Sequence, residues 1–460
     1  MIPLRENELQ YLNQIYAGQG QSLLILYGQK GIGKTRLILD FAKGKEVFYF
    51  HAGEGSDRQH RYLMAAQLAA DGVSLTGAYP SWEEILGGYF SAGQEGGMEK
   101  KVLIIDEFDS LIRSDSDFME MLSTIPARVC MQYMIVLCSS EVGFVENQLV
   151  SKIGKAAFSI SGFLKVRPLS FDALSGVFSN YSKVEKVITY SILGGVPGLW
   201  KYFDPALSLK QNLTAHLLDP GCSLYDEGSR IVMDHVREGG VYYSILSALG
   251  EGRDKLGDIY DHTEFSRAKI SVYLKNLMEI EAVEKVFSID VRGRDTQRKG
   301  IYRISNPFLR FWFRFLYPHM SQLALKSPDA FYEQYIKGEL ERFAAPAFSQ
   351  LVFEYMQSLA LADELDIDVE EEGVFDGKDG YIDYLAFDEH RMGAVAAFAC
   401  FEMPYMPYEV YERALLTLAG AKVKPDRIYL FARDGFDEKI SLEAKMKEEL
   451  VLLCMDDWME

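Results

Sequence analysis

Eight consecutive residues, Gly28-Gln-Lys-Gly-Ile-Gly-Lys-Thr35, have the types and spacing that a turn needs to wrap phosphate oxygens. Gly28, Gly31 and Gly33 let the backbone curl with several N–H groups pointing inward, at the positive start of the helix that follows. Lys34 is spaced to reach the outer phosphates of a nucleoside triphosphate, and the Thr35 hydroxyl to ligate Mg²⁺. Ile32 completes the turn and Arg36 enters the helix behind it, so both join the expected nucleotide-binding set.

A second stretch, Lys101-Val-Leu-Ile-Ile-Asp106-Glu107, is an apolar run that ends in two adjacent carboxylates. Asp106 is expected to hold Mg²⁺ through water, and Glu107 to polarise the water that attacks the γ-phosphate. One carboxylate alone reads as binding; the pair reads as hydrolysis. A third run, Met131 to Cys138, ends in Ser139-Ser140. A small polar side chain at that place either senses the γ-phosphate or caps a turn, so both serines are candidates.

These residues need a scaffold that gathers strand ends on one edge. Ser22-Leu-Leu-Ile-Leu-Tyr27 is an unbroken apolar run, as a parallel strand buried on both faces should be. Arg36 to Ala42 has helical spacing. Further strands are predicted over 46–51, 101–106 and 131–138. Helices are predicted over 6–16, 57–70, 81–91 and 118–123, with Ser81 and Glu84 forming a capping box. Strands alternating with helices through residue 168 give a doubly wound α/β layer, which binds ligands outside the carboxyl ends of its strands.

At 460 residues the chain is long enough for about three or four domains. A net charge of −19 argues against broad nucleic-acid binding, which needs counterion release by Lys and Arg, but leaves room for one small basic face. Five cysteines (Cys130, Cys138, Cys222, Cys400, Cys454) show no metal-ligand spacing and read as free thiols in a reducing cytosol. Met1-Ile-Pro-Leu-Arg-Glu lacks a basic region followed by an apolar core, and the most apolar stretch, Phe308 to Leu316, is interrupted by Arg310 and Arg314. A soluble cytoplasmic protein is expected.

After residue 165 the pattern turns helical. A short strand at Phe163 runs into a helix capped by Ser170, and helices continue to about Tyr225, broken by Gly194-Gly-Val-Pro197; this reads as a lid over the nucleotide. Helices at 242–249, 255–260 and 266–280, then strands at 283–289 and 301–304, make a winged helix-turn-helix. Glu264 to Arg303 holds nine Lys or Arg against six Asp or Glu. Arg267 and Lys269 on the third helix, and Arg292 and Arg294 on the wing, are candidate DNA contacts. A module used only for packing or protein contact explains the same pattern. Pro307 to Pro318 reads as an amphipathic aromatic connector. The last part is α/β again, with a helix near 346–361, strands at 380–387, 394–401 and 427–431, and a closing helix over 441–448. Glu354 to Arg391, with thirteen acids and two bases, reads as a solvated face.

The phosphate turn, Val102-Leu-Ile-Ile-Asp-Glu-Phe108, Gly194-Gly-Val-Pro197 and Tyr302-Arg-Ile-Ser-Asn-Pro-Phe-Leu-Arg-Phe-Trp-Phe313 together resemble the archaeal-type ATPase family. The resemblance implies an α/β, AAA-like P-loop ATPase core over 1–165, a helical lid over 166–228 and a winged helix over 229–305. An aromatic connector at 306–340 and a domain similar to PD-(D/E)XK nucleases over 341–460 follow. It implies ATP as the nucleotide, with Lys34, Thr35, Asp106 and Glu107 matching the family's site. Arg5-Glu6-Asn-Glu8 resembles its N-terminal Arg-Glu box. Two departures stand out. Where the family shows Gly-Arg-Arg this chain reads Phe158-Ser159-Ile160, so the expected arginine finger is absent and Arg113, Arg128 or Arg167 must replace it. Asp383 matches the metal-binding Asp of the nuclease fold, but its partners fall at Ser349 and at Ala399-Cys400-Phe401, so no nuclease activity is expected. The chain is therefore read as a Mg²⁺-dependent switch ATPase coupled to a protein partner, or as a nucleotide-regulated DNA-binding protein.

Overall fold

The computed structural model describes residues 5–75, 79–92, 100–114, 118–124, 132–234, 239–289 and 300–459. The chain divides into two units, the first made of residues 1–168 with Val196–Leu199 and Glu279–Glu281, the second of the remainder.

Unit 1 is built on five strands: β1 (Gln21–Tyr27), β2 (Val47–His51), β3 (Lys101–Asp106), β4 (Tyr133–Ser139) and β5 (Gly162–Lys165). They pair in the order β2-β3-β4-β1-β5, every pairing parallel. β3 and β4 are buried at every residue, which explains their unbroken apolar sequence. Flanking them are α1 (Glu6–Ala17), α2 (Lys34–Ala42), α3 (Asp57–Ala70), α4 (Trp82–Ser91), α5 (Asp109–Ser114) and α6 (Phe118–Thr124). The capping box of α4 is present as expected: the Glu84 N–H donates to Ser81 Oγ at 3.2 Å and the Ser81 N–H to Glu84 Oε2 at 2.7 Å. Phe50, Phe90, Phe108 and Phe118 fill the core on one face of the sheet. The register sets Ser139 beside Tyr27 and Asp106 beside Cys138, so the ends of β1, β3 and β4 share one edge.

Unit 2 begins with helices at Phe171–Val177, Lys183–Leu193 and Leu209–His216. Helices Gly239–Gly250, Leu256–Thr263 and Arg267–Glu279 then lead to an antiparallel ribbon, β6 (Val283–Phe287) and β7 (Gly300–Ile304). The ribbon tip, with Arg292 and Arg294, lies outside the described residues. A long helix, Leu340–Leu361, runs through Pro346 rather than starting there. A second sheet joins β8 (Glu371–Asp376), β9 (Tyr381–Phe387), β10 (Ala394–Cys400), β12 (Arg427–Ala432) and β14 (Leu450–Cys454) in the order β14-β12-β10-β9-β8. Two-residue strands β11 (Tyr405–Met406) and β13 (Gly435–Phe436) pair beside it.

Two expectations are corrected here. The acidic run is not merely a solvated face: it contains β8, whose Glu372 accepts hydrogen bonds from Tyr384 (2.8 Å) and Gln357 (2.5 Å), while Glu371 pairs with Arg391. The closing helix spans Glu438–Ala444, because Asp437 caps it by accepting the Lys439 N–H at 2.8 Å; β14 then takes up the apolar Leu450-Val-Leu-Leu-Cys454. Among the described residues no helix is long and apolar enough to cross a membrane.

Candidate active site

The turn after β1 is held from three sides. The Gly28 N–H donates to the Ser139 carbonyl at 3.3 Å, the Gly198 N–H donates to the Gly31 carbonyl at 2.9 Å, and the Arg5 guanidinium donates to the Ile32 carbonyl at 2.9 Å while pairing with Glu8 at 2.8 Å. Gly31 and Gly33 have φ of 80° and 102°, a region that costs a residue with a Cβ about 1 kcal/mol or more. The first intrahelical bond of α2 is Leu37 N–H to Gly33 O, so the N–H groups of Lys34, Thr35 and Arg36 have no intrahelical acceptor and the helix start is free to bind an anion.

Lys34 is buried, and its Nζ donates to the Gly28 carbonyl (2.7 Å), the Gln29 carbonyl (3.2 Å) and Ser140 Oγ (2.8 Å). Burial pushes its ammonium below the ordinary lysine value, against the carboxylates of Glu107 and Asp106, which hold it up. Across the edge Asp106, also buried, accepts from Thr35 Oγ1 at 3.1 Å and from the Tyr49 hydroxyl at 2.7 Å, both on Oδ2. Glu107 stands at φ 56°, a left-handed backbone rare for a residue of its kind. Its Oε2 accepts the Ser140 N–H at 3.0 Å and its Oε1 the Ser140 hydroxyl at 2.5 Å. A single relay thus runs from Lys34 through Ser140 to Glu107.

Two candidate side chains are not part of this cluster. Ser139 is fully buried, its hydroxyl donating to Asp109 Oδ1 at 2.7 Å because the strand pleat turns it into the sheet, away from Ser140. The Arg36 side chain pairs with Asp40 at 2.9 Å on the exposed face of α2, one helical turn on. Of the replacement cations, Arg113 is paired with Asp109, Arg128 lies outside the described residues, and Arg167 is exposed with no ion pair among the described residues. Arg167 directly follows Val166, whose carbonyl lies 2.5 Å from where a Cβ on Gly28 would stand. Tyr49 and Asp109 were not singled out from sequence. A tyrosine two residues from the end of the second strand was the available signal for Tyr49.

Residues 4–203 match the family model of an ATPase domain predominantly from Archaea. The matched residues include every residue of the relay. Residues 312–401 match a model described as archaeal and bacterial proteins of unknown function. An uncharacterized protein of Methanocaldococcus jannaschii is 26% identical over 356 residues, covering 74% of this chain and 75% of its own. A Walker-type ATPase of Pyrococcus abyssi superposes with a TM-score of 0.51 at 17% identity, over 68% of this chain and 96% of that one, a likeness of fold.

Outside those matched residues, Asp383 on β9 is buried. Its Oδ2 accepts the Ala399 N–H at 2.8 Å and it is hydrogen-bonded to Ser349, so the three positions aligned from the sequence do come together. Among the described residues no group of three His, Cys, Asp or Glu is placed to hold a metal ion. Burial raises the Asp383 carboxyl to about 6, with the Ser349 and Ala399 hydrogen bonds pulling the other way. Between its ordinary value near 3.8 and about 6 the folded chain therefore binds more protons than the unfolded one. Stability falls as pH rises through that window, and the penalty is complete above it. Asp383→Asn should raise the melting temperature at pH 7.5, by up to about 3 kcal/mol of stability, and lose about half of that gain at pH 5. Equal gains at the two pH values would show that charge burial is not the cause.

Proposed function

We propose that the chain is a Mg²⁺-dependent ATP hydrolase of switch type, in which nucleotide state is passed to a protein partner. The observation that supports this most directly is the Lys34–Ser140–Glu107 relay facing Asp106 and Thr35 across one sheet edge. The donor set fits a hard cation, since Thr35 and Asp106 bring two oxygens within 3.1 Å of each other. Bound there, Mg²⁺ supplies charge neutralisation for the phosphates. The rest falls to the chain. The N–H groups of Lys34, Thr35 and Arg36 at the start of α2 take the phosphate oxygens, and Lys34 exchanges the carbonyls of Gly28 and Gln29 for them. Ser140 exchanges Glu107 for the γ-phosphate, which frees the carboxylate to accept a proton from the attacking water. Arg167, without an ion pair among the described residues and next to Val166 at the turn, is assigned the charge that then develops. In this reading the carboxylate is restrained until a triphosphate arrives. Phosphate release from ATP by the purified chain, with and without Mg²⁺, is the test. Mg²⁺-dependent release with GTP a poor substitute is expected, and none at all would defeat the proposal.

A second reading, nucleotide-regulated DNA binding through a winged helix, is favoured by one observation. Arg267 and Lys269 are exposed on helix Arg267–Glu279 without an ion pair among the described residues, lying over the rings of Tyr260 (5.5 Å) and Phe265 (4.4 Å). Arg267→Glu with Lys269→Glu should weaken duplex binding and lower its salt slope by about 2. An unchanged slope would leave the protein-contact reading. No DNA degradation is expected with Mg²⁺ or Mn²⁺, because Ser349 and Ala399 give Asp383 no second carboxylate.

A further inference from the structure

Unit 2 holds a partly open cavity of about 540 Å³, within the range of small-ligand sites. Four arginines line it. Arg303 is neutralised by Glu284 at 2.6 Å and Arg314 by Glu339 at 3.1 Å, whereas Arg310 and Arg342 have no ion pair among the described residues. Arg310 is the unusual one. Its Nε is buried without a hydrogen-bond partner, one terminal nitrogen reaches only the Ser191 carbonyl at 3.5 Å, and its guanidinium lies 4.6 Å over the ring of Phe343. Burial and the charge of Arg303 lower its pKa to about 10. A guanidinium sequestered like this without an anion is unfavourable, and its planar fork is shaped for phosphate or carboxylate.

The cavity also has an acidic wall formed by Asp254 and Asp376, beside Tyr381. Burial raises the Asp254 carboxyl, and Asp376 adds to it. Carboxylates placed there accept hydrogen bonds from ring N–H or amino groups. Phe343, Phe353 and Tyr302 also line it and give it aromatic surface for a flat ring. Arginines and carboxylates on one concave surface beside aromatic rings call for a ligand that is anionic at one end and a hydrogen-bond donor at the other. The volume admits one or two such units.

We propose that this cavity binds a small phosphate ester with a hydrogen-bond-donating heterocycle, the build of a nucleoside monophosphate, at a site separate from the phosphate turn. The phosphate meets Arg310 and Arg342; the ring edge meets Asp254 and Asp376.

The test uses the full chain carrying Lys34→Ala, so that the phosphate turn is silent, titrated calorimetrically with GMP, AMP, CMP, UMP and inorganic phosphate. At least one monophosphate is expected to bind one to one with a Kd below about 1 mM, about tenfold tighter than inorganic phosphate. Arg342→Ala, an exposed rim position that should fold normally, is expected to weaken it about tenfold, as is Arg310→Gln. In the Lys34 parent, Arg342→Ala should leave ATP binding unchanged. Failure of all four monophosphates to bind, binding of inorganic phosphate as tight as theirs, or unchanged binding in Arg342→Ala would each overturn the proposal.

Discussion

Lys34→Ala is expected to weaken ATP binding by at least about 100-fold, through loss of a charge-assisted contact worth about 3 kcal/mol in a desolvated site. Lys34 is 5% exposed, and its Nζ already holds the carbonyls of Gly28 and Gln29. Alanine removes the charge and also leaves those two carbonyls without the donor that keeps the turn closed. A stability loss of about 1–2 kcal/mol should therefore accompany the binding loss. Lys34→Met keeps the packed stem and drops only the ammonium, so its difference from alanine isolates the stem's packing from the loss of the charged donor. Calorimetric titration with ATP and a thermal melt on each variant read them independently. If alanine and methionine both bound ATP like the parent, the turn would not be a triphosphate site.

Glu107→Gln is expected to do the opposite: ATP binding stays, and turnover falls by about 10²–10⁴-fold, the range of a positioned general base. The substitution is close to isosteric, and its amide oxygen still accepts from the Ser140 N–H, which in the parent lies 3.0 Å from Oε2. Only the proton acceptor is lost. Ser140→Ala is the companion, since it cuts the relay between Lys34 and Glu107 without touching the base; about a tenfold fall in turnover is expected. Single-turnover phosphate release, with ATP affinity measured alongside, distinguishes these cases. Parent-like turnover in Glu107→Gln would remove it from the chemistry.

Much of this was legible in the sequence, for identifiable reasons. The glycine spacing, the buried apolar strands and the paired acids are local signals, and parallel strands starting from one layer must finish on a common edge. What local signals cannot carry is rotation about a strand. Ser139 and Ser140 looked equivalent as letters, but the pleat sends the first to Asp109 and the second to Lys34 and Glu107. Tyr49 was hidden because its partner, Asp106, is far away in the chain and only the pairing of β2 with β3 joins them. β8 was masked by its charge: a run of acids suggests solvent, until Arg391, Tyr384 and Gln357 are found opposite it. The Ser349–Asp383–Ala399 convergence was anticipated by alignment, but the rise of that carboxyl to about 6 follows from how deeply the sheet and the long helix enclose it.

The left-handed backbone at Glu107 has an evolutionary corollary. Glycine or asparagine is at ease in that conformation, and glutamate gives up about 1 kcal/mol to occupy it. The proposed general base therefore sits where conformational preference opposes it. Were a descendant of this chain released from turning over nucleotide, position 107 should be among the first to drift, toward Gly or Asn, while the phosphate-wrapping turn persisted as an inherited binding pocket.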